Sequence, residues 1–222
     1  KLGKKPKFIE GLRVTDEETL EIAKMVLVGK INTDIVSKLN THGCKAAGLS
    51  GKDGKLLVAR KKAPQKVIRS GVEKEVDLGW VGETEGVNPK IIEILTSQGY
   101  IPVISPLGLS KGGSSLNLNA DTVAGEIANA LEAKKLLILT DVPGVMRDVE
   151  DEKSLLQEIK AQEVDGLIEK GVIKDSMIPK VKACLRALDG GLEKAHIIDG
   201  RVKHSLLLEL FTDEGVGTMI VP

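Results

Sequence analysis

Short apolar runs alternate with longer amphipathic segments along this chain, and this alternation is the feature that most constrains its fold. Such runs predict buried strands, here at residues 44–49, 100–105, 136–140, 195–198 and 218–221. Strands that alternate with helices favour a mostly parallel sheet with helices on both faces. We therefore predict an α/β fold, a three-layer αβα sandwich with a mostly parallel central sheet.

Helix signals fill the segments between these runs. Thr15 and Glu18 have the spacing of a capping box ahead of an apolar-rich stretch. Residues 29–32 predict an interruption before a second helix that ends near Asn40. Residues 50–87 combine glycines, charges and short Val/Leu runs, which predicts a hairpin-rich insertion on one side of the sheet. Further helices are predicted at residues 88–98, 119–133, 161–170, 176–188 and 204–212.

The composition argues against several classes of partner. Lys+Arg and Asp+Glu number 32 each, so the zero net charge gives no signal for nucleic acid or an anionic membrane. Aromatic residues make up only 2%, which argues against base stacking. No apolar run approaches the length of a membrane span. Cys44 and Cys184 lack metal-type spacing and are predicted to be free thiols in a cytoplasmic protein.

Polar loops that follow apolar strands are the places to search for a ligand site, because open α/β sheets bind ligands beyond the carboxyl ends of their strands. Neither a P-loop nor a dinucleotide-binding glycine motif is present. In the segment at residues 117–121, an extended backbone would place Asn117, Asn119 and Asp121 on one face. The alternative is an ordinary helix cap.

Three further segments carry candidate residues. Arg13 precedes a helix start and has the chemistry to bind a carboxylate in a bidentate fork, or else to pair with a neighbouring acid. The strand at residues 136–140 ends in Thr140 and Asp141, which fits nucleotide contacts or an ordinary turn. Lys180 lies about one turn into a helix, where a cation opposes the macrodipole unless an anion neutralises it or it points to water.

Seven segments, taken in order, resemble the amino acid kinase family. Each is weak alone, whereas all seven form a specific signal that covers essentially the whole chain. Residues 11–16 and 48–54 resemble the acetylglutamate branch rather than the carbamate, uridylate or aspartate branches. The segments are GLRVTD (11–16), GLSGKDG (48–54), VGETEGVNPKII (81–92), NLNAD (117–121), LILTDVPGV (137–145), SMIPKV (176–181) and GVGTMIV (215–221).

The resemblance implies that ATP, with Mg²⁺ bound to it, phosphorylates the side-chain carboxylate of N-acetyl-L-glutamate in arginine biosynthesis. By similarity, Arg13 binds the substrate α-carboxylate and Asn117 contacts its amide region. Lys180 would stabilise the transferring phosphoryl group, and Asp121 would orient catalytic lysines. Nucleotide contacts, with Met177 near the adenine, are implied at Thr140, Asp141, Val142, Gly144, Val145, Met146, Val172, Ile173, Lys174 and Met177.

The resemblance also predicts an organisation in two lobes. Residues 1–116 would bind the acylglutamate and residues 117–222 would bind ATP. The family begins with a Lys-Gly-Gly strand and turn and a His-Gly-Gly-Gly loop, and this sequence starts downstream of both. We therefore expect the 222-residue chain alone to turn over poorly. We also expect its central sheet to be broken or to be completed by a dimer contact.

Two alternatives stay open at this point. A kinase for a carrier-linked aminoadipate or glutamate would use a similar fold. A non-catalytic arginine-sensing module is the other, because residues 204–218 resemble the C-terminal region of arginine-inhibited members. Arginine as a feedback inhibitor and a homo-oligomer, either a dimer or a hexamer of dimers, are the further partners that the resemblance implies.

Overall fold

The computed structural model of the chain describes residues 7–9, 12–69, 72–212 and 215–222. It divides into two compact units, Lys1–Ala120 and Asp121–Pro222. Helices and strands alternate through both units, which confirms the α/β class. The assignment of one ligand to each lobe remains a prediction.

The first unit contains several small sheets. Strands β1 and β2 form an antiparallel pair, β3 and β8 a parallel pair, and β5 and β6 an antiparallel hairpin, while the remaining four strands form a sheet in the order β10-β9-β4-β7. The strands are β1 (Lys7–Ile9), β2 (Leu12–Val14), β3 (Ala46–Ser50), β4 (Leu57–Lys61), β5 (Gln65–Arg69), β6 (Val72–Val76), β7 (Gly82–Val87), β8 (Ile101–Ser105), β9 (Leu107–Leu109) and β10 (Ser115–Asn117). The predicted hairpin-rich insertion therefore corresponds to β4–β7.

The helices of the first unit are α1 (Glu17–Lys24), α2 (Thr33–Thr41) and α3 (Lys90–Ser97). The capping-box prediction was wrong by one residue, because the Asp16 side chain, not that of Thr15, accepts a hydrogen bond from Thr19 N at 2.8 Å. Thr15 is buried and its backbone pairs with Gly79 instead.

The predicted interruption at residues 29–32 was also wrong. Residues Met25–Asn32 form a π-helix that joins α1 to α2 without a break. The buried Asn32 explains the wider turn, since its Nδ2 donates to Val103 O at 2.7 Å and to Ser105 Oγ at 3.2 Å. The side chain thereby satisfies polar groups of β8.

The second unit has a four-stranded sheet in the order β11-β13-β14-β12. Strands β11 and β13 are parallel, as are β12 and β14, whereas β13 and β14 are antiparallel. Its elements are α4 (Ala120–Ala130), β11 (Lys135–Thr140), β12 (Glu158–Lys160), α5 (Val164–Glu169), α6 (Met177–Asp189), β13 (Lys194–Asp199), α7 (Ser205–Phe211) and β14 (Thr218–Val221).

The hydrophobic core of the second unit lies on one face of this sheet. Ile138, Ile197 and Ile220 alternate with residues of the opposite face and pack with Val181 and Ala187 of α6. These side chains are at most 5% exposed. Burial on this scale makes the core the main stabilising contribution, and it fixes α6 against the sheet.

Candidate functional site

A partly buried ion pair joins the N-terminal turns of two helices. Lys180 is the fourth residue of α6, and its Nζ donates to Oδ2 of Asp121, in the first turn of α4, at 3.0 Å. Each side chain is only 18% exposed. Lys180 does not point to water, so the pairing excludes the alternative of a solvated lysine.

Successive residues of α4 contact successive residues of α6, so the two helices are parallel. Beyond the ion pair, Glu126 lies 3.3 Å from Arg186, and Asn129 lies against Gly190. The positive ends of two helix dipoles therefore adjoin beside Lys180. An anion is stabilised at such a place.

The loop after β11 and the turn after α5 form a cavity of about 160 Å³. Seven of the ten residues for which nucleotide contacts were predicted line it, and Val149, Asp175 and Ser176, which were not predicted, line it as well. Ile173 instead is buried in the core, at 1% exposure. The seven are Val142, Gly144, Val145, Met146, Val172, Lys174 and Met177.

Thr140 and Asp141 lie at the carboxyl end of β11 and do not line this cavity. Thr140 is in register with Asp199, the last residue of the parallel strand β13. Both residues therefore lie at the carboxyl ends of their strands, where open α/β sheets bind ligands. Arg201 donates to both carboxylate oxygens of Asp199, with Nη2 at 2.8 Å from Oδ2. These hydrogen bonds lower the pKa of Asp199. A polar residue after the apolar run 195–198 is the signal that would have identified Asp199.

The predicted substrate residues lie in the first unit. Arg13 belongs to β2, where its backbone pairs with Phe8, but its side chain lies outside the described residues. Asn117 ends β10, and its N–H donates to Trp80 O at 2.9 Å. The prediction that Asn117, Asn119 and Asp121 share one face of an extended segment was wrong, because α4 begins at Ala120.

A second cavity, of about 410 Å³, lies on the sheet face opposite the core. His196 and Glu209 line it, and His196 Nδ1 lies 2.6 Å from Glu209 Oε1. Both side chains are at least nine-tenths buried. His196 Nε2 is buried with no hydrogen-bond partner among the described residues, so it is available to a ligand that enters the cavity.

This pair was not predicted from the sequence. The available signal was a single acid, Glu209, in the otherwise apolar helix α7. A charge in such a helix predicts a partner when the helix covers a sheet.

The loop at residues 215–217 connects the two cavities. Oε2 of Glu209 accepts from the N–H groups of Val216 at 2.7 Å and Gly217 at 3.2 Å. The next residue, Thr218, is fully buried, and its hydroxyl accepts from Val145 N at 2.8 Å. Val145 lines the smaller cavity.

Cys184 lies one turn after Lys180 on α6 and is fully buried. Burial, with a further contribution from the Asp121 carboxylate, raises the pKa of its thiol to about 12. Cys184 therefore stays protonated, and unreactive as a nucleophile, at any pH below that value.

Thiol labelling checks this packing. We expect iodoacetamide at pH 8 to modify the exposed Cys44 and to leave Cys184 unmodified until the protein is denatured. Mass spectrometry of tryptic peptides distinguishes the two sites. Modification of Cys184 in the native protein at a rate comparable to that of Cys44 would contradict the tight packing of α6.

The described residues contain no group of three or more His, Cys, Asp or Glu side chains arranged to hold a metal ion. No helix among them is both long and apolar enough to cross a membrane.

A sequence model of the amino acid kinase family matches residues 1–199. The chain is 60% identical over 221 residues to an acetylglutamate kinase from Methanobrevibacter smithii, covering 99% of this chain and 76% of that protein. It is 56% identical to an acetylglutamate kinase from Methanococcoides burtonii, covering 99% of this chain and 72% of that protein.

Two solved structures of one enzyme have a similar fold. N-acetylglutamate synthase from Neisseria gonorrhoeae, complexed with coenzyme A and N-acetyl-glutamate, matches with a TM-score of 0.78 at 30% identity. The match covers 99% of this chain and 47% of the synthase. The synthase complexed with coenzyme A and L-arginine matches with a TM-score of 0.72 at 26% identity, covering 99% of this chain and 49% of that one.

Proposed function

The chain belongs to the amino acid kinase family, and on this basis we propose that it phosphorylates the side-chain carboxylate of N-acetyl-L-glutamate with ATP. A carboxylate oxygen attacks the γ-phosphorus of ATP, the bond between that phosphorus and the β,γ-bridging oxygen breaks, and ADP leaves. The product is an acyl phosphate, the activated form required in arginine biosynthesis.

The partly buried Lys180–Asp121 pair is the observation that carries this proposal. A carboxylate is already ionised at pH 7, so the reaction needs no general base. Its barrier lies in bringing two anions together and in the charge on the transferring phosphoryl group. Lys180 and the adjoining N-termini of α4 and α6 supply fixed positive charge for that group, and Asp121 orients Lys180.

The smaller cavity is suited to the nucleotide. Apolar side chains such as Val145, Val172 and Met177 line it, and Lys174 stands at its edge. An aromatic base fits an apolar slot, and a lysine fits phosphate oxygens. Mg²⁺ prefers oxygen ligands and retains several waters. Mg²⁺ would therefore enter with ATP, held largely by phosphate oxygens and water.

A coupled assay on the full-length protein tests the proposed reaction. ADP release should depend on N-acetyl-L-glutamate, and hydroxylamine should trap the acyl phosphate as a hydroxamate. Glutamate, aspartate and carbamate serve as control acceptors. Turnover with a carrier-linked aminoadipate or glutamate in place of acetylglutamate would favour the alternative kinase, and arginine binding without any turnover would favour the sensing module.

Arg13 is proposed to bind the α-carboxylate of acetylglutamate. We expect Arg13→Ala to raise KM for acetylglutamate about 30-fold, because a charge-assisted fork is lost, while KM for ATP changes less than about 2-fold. Steady-state kinetics with each substrate varied in turn measure both constants. Arg60→Ala, which removes an exposed arginine paired with Glu83, is the control. Equal losses for both substrates would contradict the assignment.

Arginine is proposed as a regulatory ligand of the larger of these two cavities, the one that His196 and Glu209 line. Lys135 and Lys194 line this cavity together with the carboxylates of Glu158 and Glu209, so the lining favours a small ligand that carries charges of both signs, as an amino acid with a basic side chain does. The synthase whose structure with L-arginine matches this chain supports that identification. Because this cavity and α6 lie on opposite faces of the sheet, inhibition would not depend on direct competition with ATP.

Two further properties belong to the proposal. The free cysteines Cys44 and Cys184 favour a reducing, cytoplasmic location. The exposed apolar side chains Met25, Ile31 and Ile35 of the first helical segment favour association into a homo-oligomer.

A further inference from the structure

Gly125 lies where the backbones of α4 and α6 approach closely. It follows Asp121 by one helical turn, so both residues lie on the same face of α4. It is buried against the backbone of Ala183, which follows Lys180 by about one turn of α6. The helix pair is thus fixed close beside the Lys180–Asp121 contact.

A side chain at position 125 has no space. An ideal Cβ there would lie 2.6 Å from the carbonyl oxygen of Ala183 and 3.3 Å from its carbonyl carbon. Ordinary contact begins near 3.4 Å, so the helices would have to separate by about 0.8 Å. The obstacle is backbone, so no rotation of a side chain relieves it.

We propose that Gly125 is a positioning residue for phosphoryl transfer: the absence of a side chain sets the spacing at which Asp121 orients Lys180. This inference rests on the proposed function. It also assigns a role to a glycine that helix propensity disfavours, since an interior glycine destabilises a helix relative to alanine.

Gly125→Ala tests the assignment. We expect kcat to fall about 10- to 100-fold, because displacement of a catalytic group by about 1 Å costs on that order. KM for ATP and for acetylglutamate should change less than about 3-fold. Gly166→Ala is the matched control, because Gly166 lies in helix α5 and an added Cβ there meets nothing within 4 Å. Its kcat should equal that of the wild type.

A double-mutant cycle with Asp121→Asn separates positioning from general destabilisation. If Gly125 acts through Asp121, adding Gly125→Ala to Asp121→Asn should lower kcat less than about 3-fold further, whereas independent effects would multiply. Multiplication of the full effects would overturn the proposal. Thermal melting adds a second contrast, since Gly166→Ala should raise Tm and Gly125→Ala should not.

A crystal structure of Gly125→Ala measures the distance between Lys180 and Asp121 without relying on activity. We expect the distance from Lys180 Nζ to Asp121 Oδ2 to increase from 3.0 Å to beyond hydrogen-bond range. An unchanged distance would overturn the proposal, whatever the kinetics.

If wild type and Gly166→Ala lack acetylglutamate-dependent turnover, the proposed function fails, while the distance still decides the role of Gly125. Should Gly125→Ala not fold, Gly190→Ala is the second variant, because its methyl meets the Asn129 side chain of α4 and a separation of the helices there should lengthen the same Lys180–Asp121 distance.

Discussion

Replacement of Lys180 by alanine is expected to lower kcat about 10²- to 10³-fold, with KM for acetylglutamate nearly unchanged. The loss of one preorganised electrostatic stabiliser has this effect when the charge it stabilises develops in the transition state. The side chain is only 18% exposed, so water does not replace its charge efficiently. Steady-state kinetics at saturating ATP measure the change.

Lys182→Ala provides the matched control for Lys180. Lys182 lies two residues further along α6 and is exposed, so its removal changes the net charge equally without touching the ion pair. Its kcat should stay within about 2-fold of the wild type. A Lys180→Ala enzyme with unchanged kcat, or one in which only KM rises, would exclude Lys180 from the chemical step.

Glu209→Gln is expected to raise the inhibitory concentration of arginine more than about 100-fold while kcat stays near that of the wild type. The substitution keeps the shape of the side chain but removes the buried negative charge beside His196. Loss of one partner of a buried, hydrogen-bonded charge pair costs on this order in affinity. Isothermal titration with arginine and inhibition curves measure the two effects.

Glu193→Gln controls for the loss of a carboxylate in the same unit, since Glu193 is exposed and does not line the cavity. Arginine should inhibit this variant as it inhibits the wild type. Unchanged arginine affinity in Glu209→Gln would show that the ligand of this cavity, if it has one, is not recognised through this carboxylate.

The alternation of strands and helices gave the fold class because each apolar run was long enough for one strand and was bounded by polar turns. Residues 46–50 and 101–105 form parallel strands close to the predicted positions. The π-helix at Met25–Asn32 could not be predicted, because its cause lies in hydrogen bonds from Asn32 to residues more than 70 positions away. Local turn signals at Gly29 favoured a break instead.

The site was predictable to the extent that it followed strand ends and helix starts. Lys180 and the loop at residues 142–146 were identified in this way, and Lys180 lies against Asp121 in the structure. The catalytic roles of the two residues remain predictions. The His196–Glu209 pair was not predicted, because its members are 13 residues apart and meet only when α7 packs on β13. The lack of space for a side chain at position 125 could likewise not be predicted, because it depends on how α4 and α6 pack.

The hydroxyl of Thr218 joins the loop of the larger cavity to the loop of the smaller one, through Val145. A ligand that repositions residues 215–217 would therefore change the hydrogen bond between Thr218 and the backbone N–H of Val145. Thermodynamic linkage is symmetric, so a nucleotide bound near Val145 would change the affinity of the other ligand by the same factor. The sensitivity of such an enzyme to its inhibitor would then vary with the concentration of the nucleotide, as well as with that of the inhibitor.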